Sequence, residues 1–253
     1  MKISHRLIEL VSEKQPAIGL WINLSDPGVA HLGAECGYDW LMIDAEHNPL
    51  TEAHVQALIY GASAYDTTVV VRVRGNQEEN VKWVLDCGAG GVLIPVIRDA
   101  NDARHAVEIC KYAPLGSRGF GPNRASSFWS DTEYVASANR NIVLICQIEL
   151  ASAVEAADEI CSVKGLDGVW IGPGDLAQSL GHLNDPAHPA VQAAIERIIQ
   201  AANRHGMAWG MPAGNAEEYK RRIQSGGTLM VLGSDTRLIR SGAMQLLREV
   251  RSE

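Results

Sequence analysis

Eight short runs of apolar, largely β-branched residues recur along this 253-residue chain, at 18–23, 40–44, 67–72, 91–97, 142–149, 168–172, 207–211 and 228–233. Between most of them lie longer stretches with helical periodicity, at 51–62, 78–87, 100–112, 152–160, 190–205 and 216–224, and a last one spans 234–251. Strands that alternate with helices pair in parallel, because each helix carries the chain back to the end where the previous strand began. Eight such units predict an α/β fold of the closed (β/α)₈ TIM-barrel type. The structural alternative is a doubly wound open sheet. No Pro/Ser-rich linker or low-complexity run divides the chain, so residues 1–253 are expected to form a single domain.

Composition narrows the function classes. Lys and Arg number 22 against 30 Asp and Glu, a net charge of −8, which disfavours bulk binding to nucleic acid or anionic membrane. An anionic substrate must then be held by a local cation or a metal. The five cysteines, Cys36, Cys87, Cys110, Cys146 and Cys161, form no CxxC pair and read as small buried hydrophobes. The opening MKISHRLIELVSEKQP is an amphipathic helix interrupted by charge, unlike a secretory signal, and no window is apolar enough to span a membrane. A cytoplasmic protein is expected. Two long connections, APLGSRGFGPNRASSFWSDTEY and AQSLGHLNDPAHP, are of the length that usually carries function.

In a parallel barrel the active site lies at the C-terminal ends of the strands. The second strand ends in IDAEH, which places Asp44, Glu46 and His47 there; the third ends at Arg72, the fifth at Gln147 and Glu149, and GPGDL after the sixth supplies Asp175. Gln147 and Glu149 are two apart and share a face. Glu149 and Asp175, from neighbouring strand ends, suit a hard divalent cation. Their structural alternatives are a carboxylate capping the helix that begins at Ser152 and an N-cap of the following helix. Arg72 closes the run TTVVV and needs an anion, either a substrate carboxylate or enolate or an internal partner such as Asp44 or Asp86. GSRGFG lacks the dinucleotide spacing, and neither GxSxG nor HExxH occurs.

These residues carry a resemblance. GLW at 19–21, YDWLMIDAEH at 38–47, VVRVRGN at 70–76, LDCGAGGVLIPVI at 85–97, GSRGFG, QIE at 147–149 and GVWIGPGDL at 168–176 resemble, in order and over nearly the whole chain, the metal-dependent class II pyruvate aldolases of the hydroxy-oxo-heptanedioate (2-keto-3-deoxy acid) aldolase family. The resemblance implies reversible cleavage of a 4-hydroxy-2-oxo acid to pyruvate or hydroxypyruvate and an aldehyde through an enolate. It implies Glu149 and Asp175 as ligands of Mg²⁺, Mn²⁺ or Co²⁺, with no organic cofactor. Arg72 would neutralise the enolate oxygen, Gln147 would position the donor, and backbone amides around Gly172, Pro173, Gly174 and Asp175 would bind its carboxylate. His47 would be the acid/base, oriented by Asp86 with Asp44 nearby. The acceptor aldehyde would lie near Trp21, His182 and Pro212. The family loop usually reads GPADL, whereas position 174 is Gly here. A hexamer, built as a trimer of dimers with exchanged C-terminal helices, is also implied. Two other functions compete: a malyl-CoA-type lyase on the same barrel, disfavoured by the lack of a basic patch for a nucleotide tail, and a non-catalytic barrel scaffold.

Overall fold

A computed structural model describes residues 3–251. Nine parallel strands are resolved: β1 (Ala17–Ile22), β2 (Trp40–Asp44), β3 (Thr68–Arg72), β4 (Gly91–Ile94), β5 (Val143–Ile148), β6 (Gly168–Ile171), β7 (Ala208–Gly210), β8 (Pro212–Ala213) and β9 (Leu229–Ser234). They run in the order β7-β6-β5-β4-β3-β2-β1-β9-β8. The strand expected over 207–211 runs on past that range in two pieces, β7 within it and β8 just beyond its end. Pro212 has no N–H to give to a ladder, so the strand breaks there. Its first half pairs with β6 and its second with β9. The Thr228 N–H donates to the Trp209 carbonyl at 2.9 Å, which links β9 back to the β7 side and brings the sheet round into a barrel.

Side chains alternate along each strand as the pleat requires. On β2, Leu41 and Ile43 join the shell of helices while Trp40 and Met42 point into the barrel; on β5, Leu144 and Cys146 face out, Val143 and Ile145 in. Each fully buried aliphatic side chain of this kind contributes about 1.5–3 kcal/mol. Trp40 and Trp170 meet edge to face at 5.8 Å in the interior. Gly19 makes room for them, since a Cβ there would fall on the Trp40 indole. The opening helix α1 (Arg6–Ser12) contributes Leu7 and Leu10 to the same inner cluster, tied in by the Leu7 N–H on Thr68 Oγ1 at 3.0 Å. The lower end is therefore plugged, and inward positions become polar only toward the strand C-termini.

The helices depart from expectation in four places. α2 (Pro27–Glu35) was missed, although Asp26 caps it on the Gly28 N–H at 2.7 Å and Pro27 opens it, a readable start signal. α3 (Glu52–Ala62), α4 (Glu78–Asp86) and α5 (Ala100–Cys110) follow as expected, and the first long connection contains a further helix, α6 (Tyr134–Asn141). The helix expected over 152–160 divides at Ala156 into α7 (Ala151–Glu155) and α8 (Ala157–Cys161), and the second long connection opens with α9 (Pro173–Ser179). α10 (Pro189–His205) and α11 (Ala216–Gln224) complete the shell. The last helix, α12 (Asp235–Arg251), leaves the wall: Asp235 is buried, whereas residues 236–251 are all exposed, Leu246 and Val250 included. No helix among the described residues is long and apolar enough to cross a membrane.

Candidate active site

The strand register sets Asp44 beside Arg72 at the ends of β2 and β3. Arg72 Nε donates to Asp44 Oδ1 at 3.0 Å, its Nη2 reaches Asp44 Oδ2 at 2.8 Å and its Nη1 reaches Glu46 Oε2 at 3.1 Å. The guanidinium lies over the Trp21 ring, 4.7 Å from its centroid. Of the partners left open for Arg72, the internal pair with Asp44 forms, and Asp86 is not involved. Asp44 collects further donors: the Glu46 and His47 N–H groups at 3.1 and 3.3 Å, Asn48 Nδ2 at 3.0 Å and Trp21 Nε1 at 3.4 Å. Burial opposes its ionisation, but Arg72 and the two backbone donors outweigh burial and hold the carboxyl below its ordinary range. Asp44 is thus a fixed anion that aims Arg72.

Across the mouth, Glu149 stands just past β5. Its Oε1 accepts the Val96 N–H at 2.8 Å, and Gln147 Nε2 donates a close hydrogen bond to its Oε2. Gln147 is buried, and its Oε1 has no hydrogen-bond partner. Gly172 is required by this pair, because a Cβ there would come within 2.8 Å of Glu149 Oε2 and 2.9 Å of Gln147 Nε2. Glu149 caps no helix, contrary to its structural alternative: Leu150 holds the N-cap of α7, without a side-chain bond. Asp175 is not an N-cap either; that position belongs to Gly172, and Asp175 lies in the first turn of α9, which no side chain caps.

Four carboxylates, Asp44, Glu46, Glu149 and Asp175, feel one another's charge here, whereas the one guanidinium pairs with only Asp44 and Glu46. Burial pushes the Glu149 carboxyl up to about 7, with the charges of Asp175 and Glu46 adding to the shift against the bonds from Val96 and Gln147. Glu46 is raised as well, first by burial and further by Asp44 and Asp175, with Arg72 and His47 opposing. No group of three or more metal-type side chains forms among the described residues. The fit to a divalent cation rests instead on two hard oxygen donors, the buried Glu149 and the exposed Asp175, at a mouth short of positive charge, beside an unpartnered amide oxygen.

A stability prediction follows, independent of turnover. A carboxyl whose folded pKa is raised weakens the fold as pH climbs from its unfolded value through its folded value. In metal-free protein, ionised Glu149 should therefore cost on the order of 3 kcal/mol above pH 7 and nothing near pH 4. Glu149→Gln removes that cost, and Gln147 can turn its free Oε1 toward the new amide. Thermal melts in chelator should show the variant on the order of 5–10 °C more stable at pH 8, with the gap closing by about pH 4.5. Equal melting temperatures at pH 8 would refute the charge imbalance.

The remaining expected residues divide. His47 is on the rim, its ring exposed, with Nε2 3.7 Å from Glu46 Oε2. Asp86 does not orient it within this chain. Asp86 ends α4 and accepts from Arg118 Nη2 at 2.6 Å, fastening the long loop to the barrel. Trp21 is half-buried under Arg72, and it meets Trp170 at 5.9 Å. Gly172 is buried, Gly174 is exposed, Pro173 opens α9, and Pro212 is exposed at the start of β8. His182 and His188 stack on each other at 3.4 Å in the loop after α9. Sequence reasoning gave no role to Glu46, although it stood two residues past Asp44, and it missed Asn48 and Val96. For a backbone donor such as Val96 no sequence signal exists.

Residues 17–242 match the HpcH/HpaI aldolase/citrate lyase family. The chain is 38% identical to a 4-hydroxy-2-oxo-heptane-1,7-dioate aldolase of Klebsiella pneumoniae subsp. pneumoniae over 234 residues, 92% of this chain and 88% of the relative. Among solved structures it resembles an HpcH/HpaI aldolase/citrate lyase family protein from Burkholderia cenocepacia J2315, with a TM-score of 0.94 and 33% identity, covering 98% of this chain and 100% of the other. It also resembles the citrate synthase SbnG, with a TM-score of 0.90 and 27% identity, covering 98% of each chain. With sequence and barrel in agreement, the chain belongs to the HpcH/HpaI aldolase/citrate lyase family of carbon–carbon bond enzymes.

Proposed function

We propose that this chain is a divalent-metal-dependent aldolase that reversibly cleaves a 4-hydroxy-2-oxo acid to pyruvate or hydroxypyruvate and an aldehyde. The observation that carries the reading is the mouth itself, where one arginine pairs with only two of four carboxylates and Glu149 is pushed up to about 7. Glu149 and Asp175 would hold Mg²⁺, Mn²⁺ or Co²⁺. When bound, such an ion supplies Lewis acidity toward the 2-oxo group.

The chain's own residues supply the rest. Arg72 donates its Nε–H to Asp44 and holds Asp44 and Glu46 in ion-pair reach of Nη2 and Nη1, and the rest of its fork would serve a substrate oxygen. Cleavage of the C3–C4 bond leaves its electron pair alpha to the carbonyl, so negative charge gathers on the 2-oxo oxygen, where those donors stabilise it. Asp44 fixes the fork from behind, and Trp21 supports its face. Gln147 offers its free Oε1 to a hydroxyl or water at the donor. The uncapped first turn of α9 presents the Gly174 and Asp175 amides to the substrate carboxylate, since Pro173 has no N–H and that of Gly172 is given to the Ile148 carbonyl. His47 takes the C4 hydroxyl proton as the bond breaks and returns it in the aldol direction. Glu46, at 3.7 Å, is the carboxylate nearest to that ring within the chain. The aldehyde then leaves past the exposed Pro212.

The reading extends to a cytoplasmic homo-hexamer, supported by the bare apolar side chains of α12. A nucleotide-bearing thioester substrate is less well served, because Arg74 is bound to the Ala45 and Leu50 carbonyls and Arg98 to Asp102. A panel of pyruvate and hydroxypyruvate against several aldehydes, with each of the three metals, tests the proposal. Absence of carbon–carbon bond formation or cleavage under every condition would end it. His47→Ala should lower kcat for cleavage by about 10²-fold. Exchange of the pyruvate methyl protons should suffer less, since no hydroxyl proton moves there. Near-native cleavage in the variant would remove His47 from the mechanism.

A further inference from the structure

Val96 has a backbone φ of +57°, in the left-handed region. A β-branched residue is a true outlier there, because its Cβ crowds the following carbonyl. Packing of its side chain does not explain the conformation, since Val96 is 48% exposed. Its flanks do hold it: Pro95 and Ile97 are both buried, and Arg98 is locked to Asp102 by paired bonds at 2.7 and 2.9 Å just before α5. The turn directs one group inward, the Val96 N–H, which meets Glu149 Oε1 at 2.8 Å. Gln147 holds the other oxygen and Gly172 leaves space behind it. The carboxylate is thereby gripped from two strands, β4's end and β5, with its free lone pairs left to the mouth.

We infer that Val96 is a positioning residue for Glu149: its strained turn serves to deliver one backbone donor that fixes the carboxylate before a cation arrives. Strain at a functional site persists when the surroundings over-determine it, and here they do so on both sides. A charged hydrogen bond of this kind orients as well as stabilises. The inference rests on the proposed role of Glu149 as a ligand.

The test measures Mn²⁺ affinity by electron paramagnetic resonance, alongside melting temperature. Replacing Val96 by its α-hydroxy acid analogue deletes the N–H and keeps the side chain; Mn²⁺ affinity should fall about tenfold or more. Val96→Gly relieves the strain and frees the turn; its melting temperature should not drop, while Mn²⁺ affinity falls several-fold. Val96→Asn, which tolerates the left-handed region, should retain affinity close to the parent. A purely structural role would instead lower melting temperature and affinity together. Mn²⁺ binding within twofold of the parent in the hydroxy-acid protein overturns the inference, provided Glu149→Gln abolishes binding. Undiminished binding in Glu149→Gln overturns the ligand reading first, and this inference with it.

Discussion

Chelation abolishes aldol cleavage by this enzyme, Mg²⁺, Mn²⁺ or Co²⁺ restores it, and borohydride with pyruvate leaves the protein mass unchanged: these are the results expected of the mouth described above. The alternative aldolase chemistry needs a lysine inside the barrel to form an imine. Six lysines are present, Lys2, Lys14, Lys82, Lys111, Lys164 and Lys220, and none of the five among the described residues falls at the C-terminal end of a strand. Lys2 lies outside the described residues. Lys111 is buried, but its Nζ donates to the Asn139 and Ile142 carbonyls at 3.0 and 2.9 Å, at the entrance to β5 and so at the opposite end of the barrel from Glu149. A cation, by contrast, would have Glu149 and Asp175 to bind it, as proposed. Proton and metal compete for Glu149, whose carboxyl sits at about 7, so metal affinity should weaken as pH falls below 7 and level off above it. Titration of Mn²⁺ at pH 5.5 and 8 measures this directly. A pyruvyl adduct on any lysine, or full activity in rigorously metal-free enzyme, would overturn the mechanism and leave the barrel untouched.

The barrel was legible because its signal is additive. Each strand repeats the same apolar period, and a helix missed at 27–35 or divided at Ala156 does not change the strand count. Placement of Asp44, Arg72, Gln147 and Glu149 at one rim followed from the same counting, since they continue the inward rows of β2, β3 and β5. What resisted was the pairing of side chains within the rim. Arg72 was a donor awaiting an anion when read along the chain; the β2–β3 register makes it half of an ion pair, with Glu46 as a third member. Asp86 was placed on other grounds. Its assignment to His47 came from resemblance, whereas a single-chain reading of α4 and Arg118 ties it to the loop instead. The break at Pro212 was readable from the missing N–H alone.

Arg72→Ala should be among the most damaging substitutions in the chain, in two separable ways. Asp44 is 2% exposed and would keep its charge with only neutral donors around it, while Glu46 would lose its nearest cation. Breaking a buried pair in this manner costs about 3–5 kcal/mol, which for a domain of this size lowers the melting temperature by roughly 10 °C. Cleavage should also fall by about 10²–10³-fold through loss of the donors at the developing charge. Arg72→Lys should recover part of the stability and little of the activity. One ammonium cannot reach Asp44 and Glu46 together, lie flat on Trp21 and still present a donor to substrate. Adding Asp44→Asn to Arg72→Ala removes the stranded charge, so the double variant should regain most of the lost stability while its kcat stays low. Melting curves and single-turnover cleavage on the four proteins decide the matter. Substantial activity in Arg72→Lys would show that charge alone is needed at this position, and recovery of activity in the double variant would show that Arg72 serves the fold and not the reaction.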